Sequence, residues 1–475
     1  MQIQGYRLSP QQQRLWGLDQ NSESSPYRVQ VQVLIEANVD RERLLNALFA
    51  VVKRHEILNT TFQYLPGMSL PVQVINQPEV PAAQIYDLSH LSSAAQETEL
   101  NALFPQALEL PFDLQQSPAI HLALVKLETS RQILMLGLPA LCSDRASLNR
   151  MVYELSQTLS QAEELPQPEM QFADVAEWQH ELLESDNTKA GRDYWRKPNF
   201  FEAPQPELSF EQKRERASFQ PKVQTLALPP EISAQLEHLS REYEVTEAAL
   251  LQSCWQIFLW RLTQSSDLIV ATARDGRNDS ELKPVLGLLA KYLPVQLKLH
   301  AGLTFREVAG RVQELLREAD EWHEYFQFTG SRGFFPFSFD YDEQQANYVA
   351  AGINLRITRQ YDCIEPYKLK LSCRRQGLGL SVELHYDSSS FDASNIERLA
   401  SEFQTIVESL FKHPEIAIGQ AEMLSPAERH QLLVEWNQTA TTYPDQCFHQ
   451  LFEAQVERNP EAPALLYQGE SISFG

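Results

Sequence analysis

A short polar stretch at residues 137–147 holds the residue types best suited to chemistry, Cys142 and Asp144 among them. An apolar run at residues 133–136 precedes the stretch, and a helical pattern at residues 148–159 follows it. A strand, a sharp loop and a helix in this order commonly place polar side chains at the mouth of a cleft. A cysteine nucleophile needs a nearby base and a lowered pKa, and no histidine lies close in sequence. We therefore interpret Cys142 as a small buried core residue and keep Asp144 as a general base among the alternatives.

The elements around this stretch alternate between strands and helices. Apolar residues at every second position predict a strand at residues 27–35, and a helical period predicts a helix at residues 39–52. Residues 94–104 are typical of a helix that Pro105 should end or kink. Further patterns predict strands at residues 121–127, 132–138, 223–228, 268–273, 334–341, 353–359, 369–373 and 379–386, and helices at residues 231–242, 246–262, 305–323 and 395–411.

This order of elements indicates a mixed α/β fold with helices layered on sheets. The two halves of the chain have a similar make-up, which suggests a duplicated fold with a cleft between the copies. The stretch at residues 186–206 is polar and interrupted by prolines, so we place the boundary between the halves there. We predict one lobe at residues 1–185, a second lobe at residues 186–422, and a separate segment at residues 423–475.

The charge balance limits the partners of the chain. It has 475 residues, with 40 Lys and Arg against 63 Asp and Glu, and a net charge of −23. This argues against a nucleic acid or an anionic membrane as partner, because a polyanion would be repelled. There is no apolar signal core at the N-terminus and no run long enough for a transmembrane helix. Five cysteines without a zinc or disulfide spacing indicate reduced thiols in a cytoplasm.

Six separate motifs, in matching order and spacing, resemble those of nonribosomal peptide synthetase condensation domains. They lie at residues 9–16, 54–62, 138–147, 172–178, 273–277 with 286–293, and, more weakly, 323–328. The resemblance covers residues 6–420. The tail at residues 432–474 resembles the linker and the first residues of an adenylation domain. The resemblance therefore implies a piece of a multidomain synthetase that lies just before an adenylation domain.

The resemblance also implies a fold and a reaction. The fold would be an α/β (α+β sandwich) arrangement of two chloramphenicol-acetyltransferase-like lobes in a V-shaped pseudo-dimer. A tunnel between the lobes would receive the phosphopantetheine arms of a donor and an acceptor carrier protein. In working members, the motif that corresponds to residues 138–147 contains two adjacent histidines. The second of them positions or deprotonates the amine that attacks the donor thioester. The resemblance implies no cofactor or metal bound by the domain itself, since the phosphopantetheine belongs to the carrier proteins.

The chain departs from the family pattern at the centre of that tunnel. When the motif is aligned on Asp144, its two histidines fall on Pro139 and Ala140, and its glycine falls on Arg145. Imidazole has an unperturbed pKa of about 6.5, and neither Pro139 nor Ala140 carries a group that titrates near it. Because these positions have changed together, we predict a condensation-like domain that is inactive in peptide-bond formation.

Two cationic replacements fall in the expected tunnel. Arg145 stands at the glycine, and Lys291, next to Tyr292, stands at an asparagine of the family. Their bulk could close the tunnel, or their charge could bind an anionic group; we favour closure, because closure needs only size. His323 and His385 are candidates to enter the cleft by folding, although a lone histidine is more often a surface or core residue.

Asp144 is retained, and the resemblance implies that it pairs with an arginine, often at the position taken here by Asn59. An unpaired buried carboxylate would cost several kcal/mol. We therefore predict that Asp144 forms a rewired ion pair with Arg145 or Arg54 and has no catalytic role. The residues of the motifs that we expect to be structural are Arg54, His55, Asp144 and Arg277.

Two roles remain for a domain that does not condense. It could pack against the adenylation domain that follows and fix its orientation. It could instead offer its carrier-binding faces to a tailoring enzyme that acts in trans on a carrier-bound amino acid. The sequence does not choose between them. The alternative to inactivity is an atypical condensation or acyl transfer that works by positioning carrier-bound substrates, and its mark would be an open tunnel across the domain.

Overall fold

A computed structural model of the chain describes residues 5–19, 25–160, 165–185, 188–196, 200–201, 206–212, 218–328, 333–343, 347–442 and 445–475. The predicted lobe boundary at residues 185/186 adjoins residues 186–187, which lie outside the described part, as do residues 443–444 of the tail. The chain divides into two compact units, Met1–Met423 and Leu424–Gly475. That division falls one residue from the predicted start of the C-terminal segment.

Helices and strands alternate along the chain, as the hydrophobic pattern predicts. The first elements are α1 Pro10–Asp19, β1 Arg28–Glu36, α2 Arg41–Arg54, β2 Thr60–Gln63, β3 Val72–Ile75, β4 Ala83–Asp87, α3 Ser93–Glu109, β5 His121–Glu128, β6 Arg131–Pro139, α4 Arg145–Ser160, α5 Phe172–Glu184 and α6 Lys189–Arg196. They are followed by β7 Pro221–Leu226, α7 Pro230–Tyr243, α8 Glu247–Thr263, β8 Asp267–Arg274, β9 Lys291–Lys298, α9 Phe305–Glu321, β10 Phe337–Glu343, β11 Tyr348–Ala350, β12 Ile353–Cys363, β13 Leu369–Gln376, β14 Gly379–Asp387 and α10 Ala393–Lys412. The C-terminal unit contains α11 Pro426–His430, α12 Phe448–Arg458, β15 Pro463–Tyr467 and β16 Glu470–Ser473.

Local capping chemistry fixes where several helices begin. At the start of α1, the backbone N–H of Gln12 donates to Ser9 Oγ at 3.1 Å, and Ser9 N donates to Gln12 Oε1 at 2.9 Å. This reciprocal pair satisfies two backbone donors that a helix start leaves free. At α11, Ser425 and Glu428 form the same kind of pair, with Ser425 N donating to Glu428 Oε2 at 2.9 Å.

The prediction that Pro105 ends or kinks its helix is wrong in its first form, because α3 continues through it to Glu109. Proline removes one helical hydrogen bond, but tertiary contacts hold this turn. Phe104 is almost fully buried, and its carbonyl accepts a hydrogen bond from Gln30 Nε2 at 2.7 Å. Burial of the neighbouring ring therefore outweighs the local preference of the proline.

A first six-stranded sheet has the order β11-β12-β1-β6-β5-β4. Its central strand β1 is antiparallel to both neighbours, and Arg28 at its start pairs with Pro139 on β6 and with Cys363 on β12. The assignment of residues 186–422 to one lobe is therefore corrected for β11 and β12, which return to the first sheet. The physical reason is that β1 is buried along almost its whole length and needs a strand on each side.

A second six-stranded sheet has the order β7-β14-β13-β10-β8-β9. The alternation of β10 gives this sheet two different faces. Phe337 and Phe339 are fully buried in an apolar core that also contains Trp255 and Phe258 of α8. The opposite face carries polar side chains, although Asp340 on that face is only 2% exposed. A buried polar face needs partners from elsewhere in the fold.

The two sheets with their helices confirm the predicted mixed α/β architecture of two lobes. In the described part of the chain, no helix combines the length and apolar character needed to cross a bilayer.

Candidate functional site

The motif loop that follows β6 is a tight, buried turn. Cys142 N donates to the carbonyl of Pro139 at 3.0 Å, and Ala140 N donates to the carbonyl of Tyr27 at 3.1 Å. Gln12 of α1 closes over the loop, with its Nε2 donating to the carbonyl of Leu141 at 2.8 Å. Pro139 and Ala140 are both buried and offer no group that can take up a proton.

Cys142 is buried, as predicted, within the core of the first lobe. Burial raises the pKa of its thiol to about 12. A thiol with this pKa stays protonated near neutral pH, and the protonated form is a poor nucleophile. The arrangement therefore does not support nucleophilic chemistry at Cys142.

Asp144 lies at the N-terminus of α4 and is saturated with hydrogen bonds. Its Oδ1 accepts from Ser147 N at 2.8 Å, Ser147 Oγ at 2.7 Å and Arg277 Nη2 at 3.0 Å. Its Oδ2 accepts from Arg277 Nη1 and Ala290 N at 2.9 Å each and from Leu289 N at 3.0 Å. A carboxylate offers about four lone-pair sites, so none remains for a substrate proton.

The predicted partners of Asp144 are wrong, because the arginine that pairs with it is Arg277. This arginine also reaches the carbonyls of Val285 and Asp275, at 3.2 Å and 2.9 Å. Its bidentate geometry favours it over a residue adjacent in sequence. Arg54 and Arg145 instead find other carboxylates in the fold.

Gly287 completes the joint between α4 and the segment after β8. Its N and O both lie 3.0 Å from Ser147 Oγ. Its φ is +145°, and a Cβ there would lie 1.9 Å from the Phe172 ring. Only glycine permits this close approach without rearrangement. The fifth motif therefore holds the motif loop from the opposite lobe through Asp144, Ser147 and Arg277.

Arg145, which the resemblance aligns with a glycine, extends its side chain to the second lobe. Its Nη1 donates to Asp340 Oδ1 at 2.6 Å, and its Nη2 donates to Asp340 Oδ2 at 3.0 Å. Its Nε donates to Asp362 Oδ1 at 2.9 Å, and Nη2 also contacts that oxygen. We name Arg145, Asp340, Asp362 and Lys370 the central cluster.

Lys370 completes the charge balance of the central cluster. Its Nζ lies 3.5 Å from Asp340 Oδ2 and 3.6 Å from Asp362 Oδ2. Burial would raise the pKa of both carboxyls, but the charge of Arg145, and then that of Lys370, holds each pKa below its ordinary range. The cluster is therefore an array of two cations and two anions, and four hydrogen-bond contacts from the guanidinium of Arg145 are directed at the two carboxylates.

Two members of the central cluster, Asp340 and Lys370, belong to the polar face of the second sheet, whereas Arg145 comes from α4 and Asp362 from β12 of the first sheet. In one row across the strands, Ser338 of β10 pairs with Lys370 of β13, which pairs with His385 of β14. In the next row, Asp340 pairs with Ser372, which pairs with Glu383.

His385, a candidate to enter the cleft, does lie between the two sheets. Its ring centroid lies 6.2 Å from that of Tyr361, and its Nε2 lies 3.1 Å from Glu383 Oε2. The histidine is fully buried, and burial together with the charge of Lys370 lowers its pKa.

Lys291 is also held in an ion pair. Its Nζ donates to Glu324 Oε2 at 2.8 Å and to the carbonyl of His323 at 3.2 Å. Burial would raise the pKa of Glu324, but the charge of Lys291 and the contact with His323 lower it to about 2. Tyr292 beside it is buried, and burial raises the pKa of its hydroxyl well above the ordinary value.

The second motif is assembled around a buried carboxylate. His55 Nε2 lies 2.8 Å from Glu154 Oε2, Arg54 Nε lies 3.1 Å from the same atom, and Arg150 Nε lies 2.7 Å from Oε1. Burial would raise the pKa of Glu154, but the contacts with His55 and Arg150 lower it. Asn59 donates from its Nδ2 to the carbonyl of Val52 at 2.7 Å. These residues anchor α2 to α4 away from the motif loop.

Two separate spaces flank the polar face. A cavity of about 690 Å³ lies at β7 and β14 and is lined by Lys222, Arg359, Tyr361 and Glu383, among others. A crevice of about 10 Å³ lies at β8–β10 and is lined by Ala271, Tyr292 and Ser338 of those strands. The two spaces share no lining residue, and β13, which carries Lys370, lies between them in the sheet.

Sequence reasoning missed Asp340, Asp362 and Lys370 as members of the site. A signal was present in β10, where Asp340 alternates with Phe337 and Phe339 inside a strand of apolar type. Charges at alternate positions of a buried strand indicate a second buried face. On the other face of the same strand, Phe337 and Phe339 form part of the apolar core.

Comparison with known proteins places this geometry in a family. A family model described as the condensation domain matches residues 2–433. Bacitracin synthase 1 of Bacillus licheniformis is 26% identical over 483 residues, which cover 99% of this chain and 9% of that protein. Tyrocidine synthase 2 of Brevibacillus parabrevis is 28% identical over 496 residues, which cover 99% of this chain and 13% of that protein. The chain thus spans a small part of the length of these relatives.

Solved structures share the fold at lower identity. The four-domain nonribosomal peptide synthetase holo-AB3403, bound to AMP and glycine, superposes with a TM-score of 0.79 at 18% identity, over 99% of this chain and 38% of that one. The complex of the X-domain and OxyB from teicoplanin biosynthesis superposes with a TM-score of 0.72 at 22% identity, over 90% of this chain and 97% of that one.

Proposed function

The chain belongs to the condensation-domain family found in nonribosomal peptide synthetases, and from that premise we propose that it does not form peptide bonds and serves as a binding platform. The proposal rests on the residues found at the centre of the cleft. Pro139 and Ala140 replace the motif histidines, and Arg145 is fixed between Asp340 and Asp362.

The proton balance of amide formation supports the proposal. The attacking amine must lose a proton, and a positioned group with a pKa near neutral normally accepts or steers it. Pro139 and Ala140 cannot do this, the thiol of Cys142 has a pKa of about 12, and Asp144 already accepts six hydrogen bonds. The motif loop therefore supplies no base.

The pattern of replacement supports it as well. A single lost histidine could leave an enzyme that works by positioning, since positioning alone contributes a large rate factor. Here the loss of the histidines is accompanied by a new structural contact: Arg145 joins the two lobes through buried ion pairs. Lys291 is likewise engaged with Glu324. Replacements that acquire structural partners fit a domain that no longer depends on catalysis.

The platform role follows from what the family brings together. We propose that carrier proteins bind this domain and present their phosphopantetheine arms, and that an adenylation domain is a neighbour in the parent protein. The fold similarity to the X-domain, solved as a complex with OxyB, supports a further role in recruiting a tailoring enzyme that acts in trans. The scaffold role beside an adenylation domain fits the similarity to a four-domain synthetase that covers 99% of this chain.

One observation favours the competing function, an atypical condensation by positioning. The cavity of about 690 Å³ next to Tyr361 and Glu383 leaves room for one substrate arm. Positioning two substrates would require a second arm to reach the same point, and the central cluster lies between this cavity and the crevice at β8–β10.

The test compares the unaltered chain with a restored variant. The variant combines Pro139→His, Ala140→His and Arg145→Gly with Asp362→Asn, so that Lys370 and Asp340 remain as a balanced pair. Donor and acceptor carrier proteins loaded with aminoacyl groups are supplied to both chains. Intact-protein mass spectrometry follows the acceptor arm, and binding of the carrier proteins is measured separately by calorimetry.

We expect the unaltered chain to bind a carrier protein and form no product above the sample without the chain. Product from the restored variant alone would assign the loss of activity to these positions. Product from the unaltered chain would contradict the proposed inactivity, and the absence of any carrier binding would contradict the platform role. Thermal unfolding of both chains checks that the variant is folded.

A further inference from the structure

Another ion pair between distant parts of the chain joins Arg14 and Glu365, which both line the crevice at β8–β10. Arg14 of α1 donates from Nε to Glu365 Oε1 at 2.6 Å and from Nη2 to Glu365 Oε2 at 2.5 Å. Gln11 Nε2 donates to the same Oε1 at 3.1 Å. The fork of an arginine on a carboxylate is among the strongest and most directional of protein hydrogen bonds.

Aromatic packing reinforces this pair. The guanidinium of Arg14 lies 3.7 Å from the centroid of the Phe328 ring, within cation–π distance. Its Nη2 also donates to the carbonyl of Gly333 at 2.9 Å. Phe328 in turn packs edge-to-face on Phe335, with ring centroids 5.4 Å apart. Arg14 therefore connects α1 with the segment before β10 and with the segment between β12 and β13.

The space behind this pair is the crevice of about 10 Å³ at β8–β10, which Arg14, Glu365 and Phe328 line together with Ser338. A space of this size holds about one water molecule. Ser338 at its floor is 3% exposed. An extended substrate arm cannot enter on this side while the pair is formed.

The opposite side of the cleft is open, and its wall contains the cations Arg28, Lys222 and Arg359 together with the carboxylates Glu109 and Glu383. Of these carboxylates, Glu383 already contacts Arg374 and His385. The cavity of about 690 Å³ opens at β7 and β14, and Lys222 and Arg359 lie in its wall. Within the described residues, neither of these side chains forms an ion pair, although Arg359 stacks on Phe104 at 4.3 Å. In a chain with a net charge of −23, two cations left without partners on one cavity wall are suited to an anion.

We propose that the cleft has a single working mouth, at β7 and β14, which takes one anionic phosphopantetheine-type arm, and that Arg14 and Glu365 latch the other side. The central cluster separates the two sides, so the latch and the cluster together prevent two arms from meeting. The identity of the arm rests on the proposed platform function. The closed side rests only on the contacts of Arg14 and Glu365.

Cysteine labelling tests the two sides independently. In a Cys447→Ser background, which removes the exposed thiol, Val223→Cys places a thiol at the open mouth and Ser338→Cys places one in the crevice. The probe is a phosphopantetheine analogue that ends in a maleimide, and N-ethylmaleimide is the neutral control. Sites of labelling are located by peptide mass spectrometry.

We expect Val223→Cys to label at least about tenfold faster than Ser338→Cys while the latch is intact. Arg14→Ala or, as the smaller change, Glu365→Gln should raise labelling of Ser338→Cys by about tenfold and leave Val223→Cys unchanged. Rapid labelling of Ser338→Cys with Arg14 in place would overturn the latch, and so would continued protection in both variants.

The cationic wall has its own test. Lys222→Ala together with Arg359→Ala should slow labelling of Val223→Cys by the anionic analogue about threefold or more, but not labelling by N-ethylmaleimide. Equal slowing with both probes, or none with either, would overturn the anionic arm. The buried Cys142, Cys254, Cys363 and Cys373 report unfolding, because they stay unlabelled in a folded chain. None of these measurements involves peptide formation. Peptide formation by the unaltered chain would therefore contradict the proposed inactivity but would not change the expected labelling pattern.

Discussion

Replacing Arg145 by methionine should lower the free energy of unfolding, because the side chain is largely buried and ion-paired. The side chain is 13% exposed and its partners Asp340 and Asp362 are 3% and 8% exposed. Methionine matches the length of the arginine stem but removes the charge. The variant therefore leaves two buried carboxylates facing one remaining cation, Lys370.

The magnitude follows from the partners that remain. Removing one member of a buried ion pair costs about 3–5 kcal/mol, because the other member stays buried without its partner. Lys370 lies 3.5 Å and 3.6 Å from the two carboxylates, so part of their charge stays compensated. We expect Arg145→Met to lower the free energy of unfolding by about 3 kcal/mol, the lower end of that range.

A compensating substitution makes the reasoning specific to charge. Asp362→Asn added to Arg145→Met leaves one cation and one anion, Lys370 and Asp340. We expect the double variant to be more stable than Arg145→Met alone, although Asp362→Asn by itself should destabilise the unaltered chain. Urea unfolding of the four chains, followed by tryptophan fluorescence, gives the coupling energy between the two positions.

The pH dependence has a defined sign. In the unaltered chain the pKa values of Asp340 and Asp362 lie below their ordinary range, so their contribution to stability is present above the unfolded pKa of about 3.9 and is lost as pH falls through the folded values. Without Arg145, burial is less opposed and raises both pKa values. The deficit of Arg145→Met should thus be largest near neutral pH and shrink on acidification. A variant within about 0.5 kcal/mol of the unaltered chain at pH 7, or a deficit that grows on acidification, would refute the account.

Three further outcomes follow from the same structure. Gly287→Ala should lower stability by about 2–3 kcal/mol, because its Cβ would lie 1.9 Å from a buried ring; Gly310→Ala, with open space around it, is the matched control, and thermal unfolding compares them. Glu154→Gln should lower the free energy of unfolding at pH 7, as measured by urea titration. The difference in free energy between the two chains should become smaller below about pH 4.3, because the pKa of Glu154 is lowered in the folded chain and its stabilising contribution is lost on acidification. Iodoacetamide at pH 8 should label Cys447 and leave Cys142, with its pKa of about 12, unmodified, as read by peptide mass spectrometry.

Much of the fold follows from local patterns in the sequence. Alternation placed β1 at residues 27–35, and the structure has it at Arg28–Glu36. Ser9 caps the start of α1 by accepting a hydrogen bond from the backbone N–H of Gln12, three residues further along the chain. These signals are local, so spacing alone is enough to find them.

The site depends on contacts that spacing does not encode. Arg277 lies 133 residues from Asp144, and Asp340 lies 195 residues from Arg145, so neither pair is visible as a motif. The return of β12 to the first sheet places Asp362 opposite Arg145, which no local pattern indicates. Local reasoning offered two partners for Asp144, the adjacent Arg145 or Arg54 of the second motif. In the structure, Asp144 pairs instead with Arg277, which is buried and reaches both carboxylate oxygens.

The central claim is that no peptide bond forms in this cleft. The most direct measurement is the conversion of an aminoacylated acceptor arm, by intact-protein mass spectrometry, with loaded carrier proteins in excess and the unaltered chain present or absent. We predict equal conversion in the two samples. Conversion that rises in proportion to the concentration of the chain would contradict the claim.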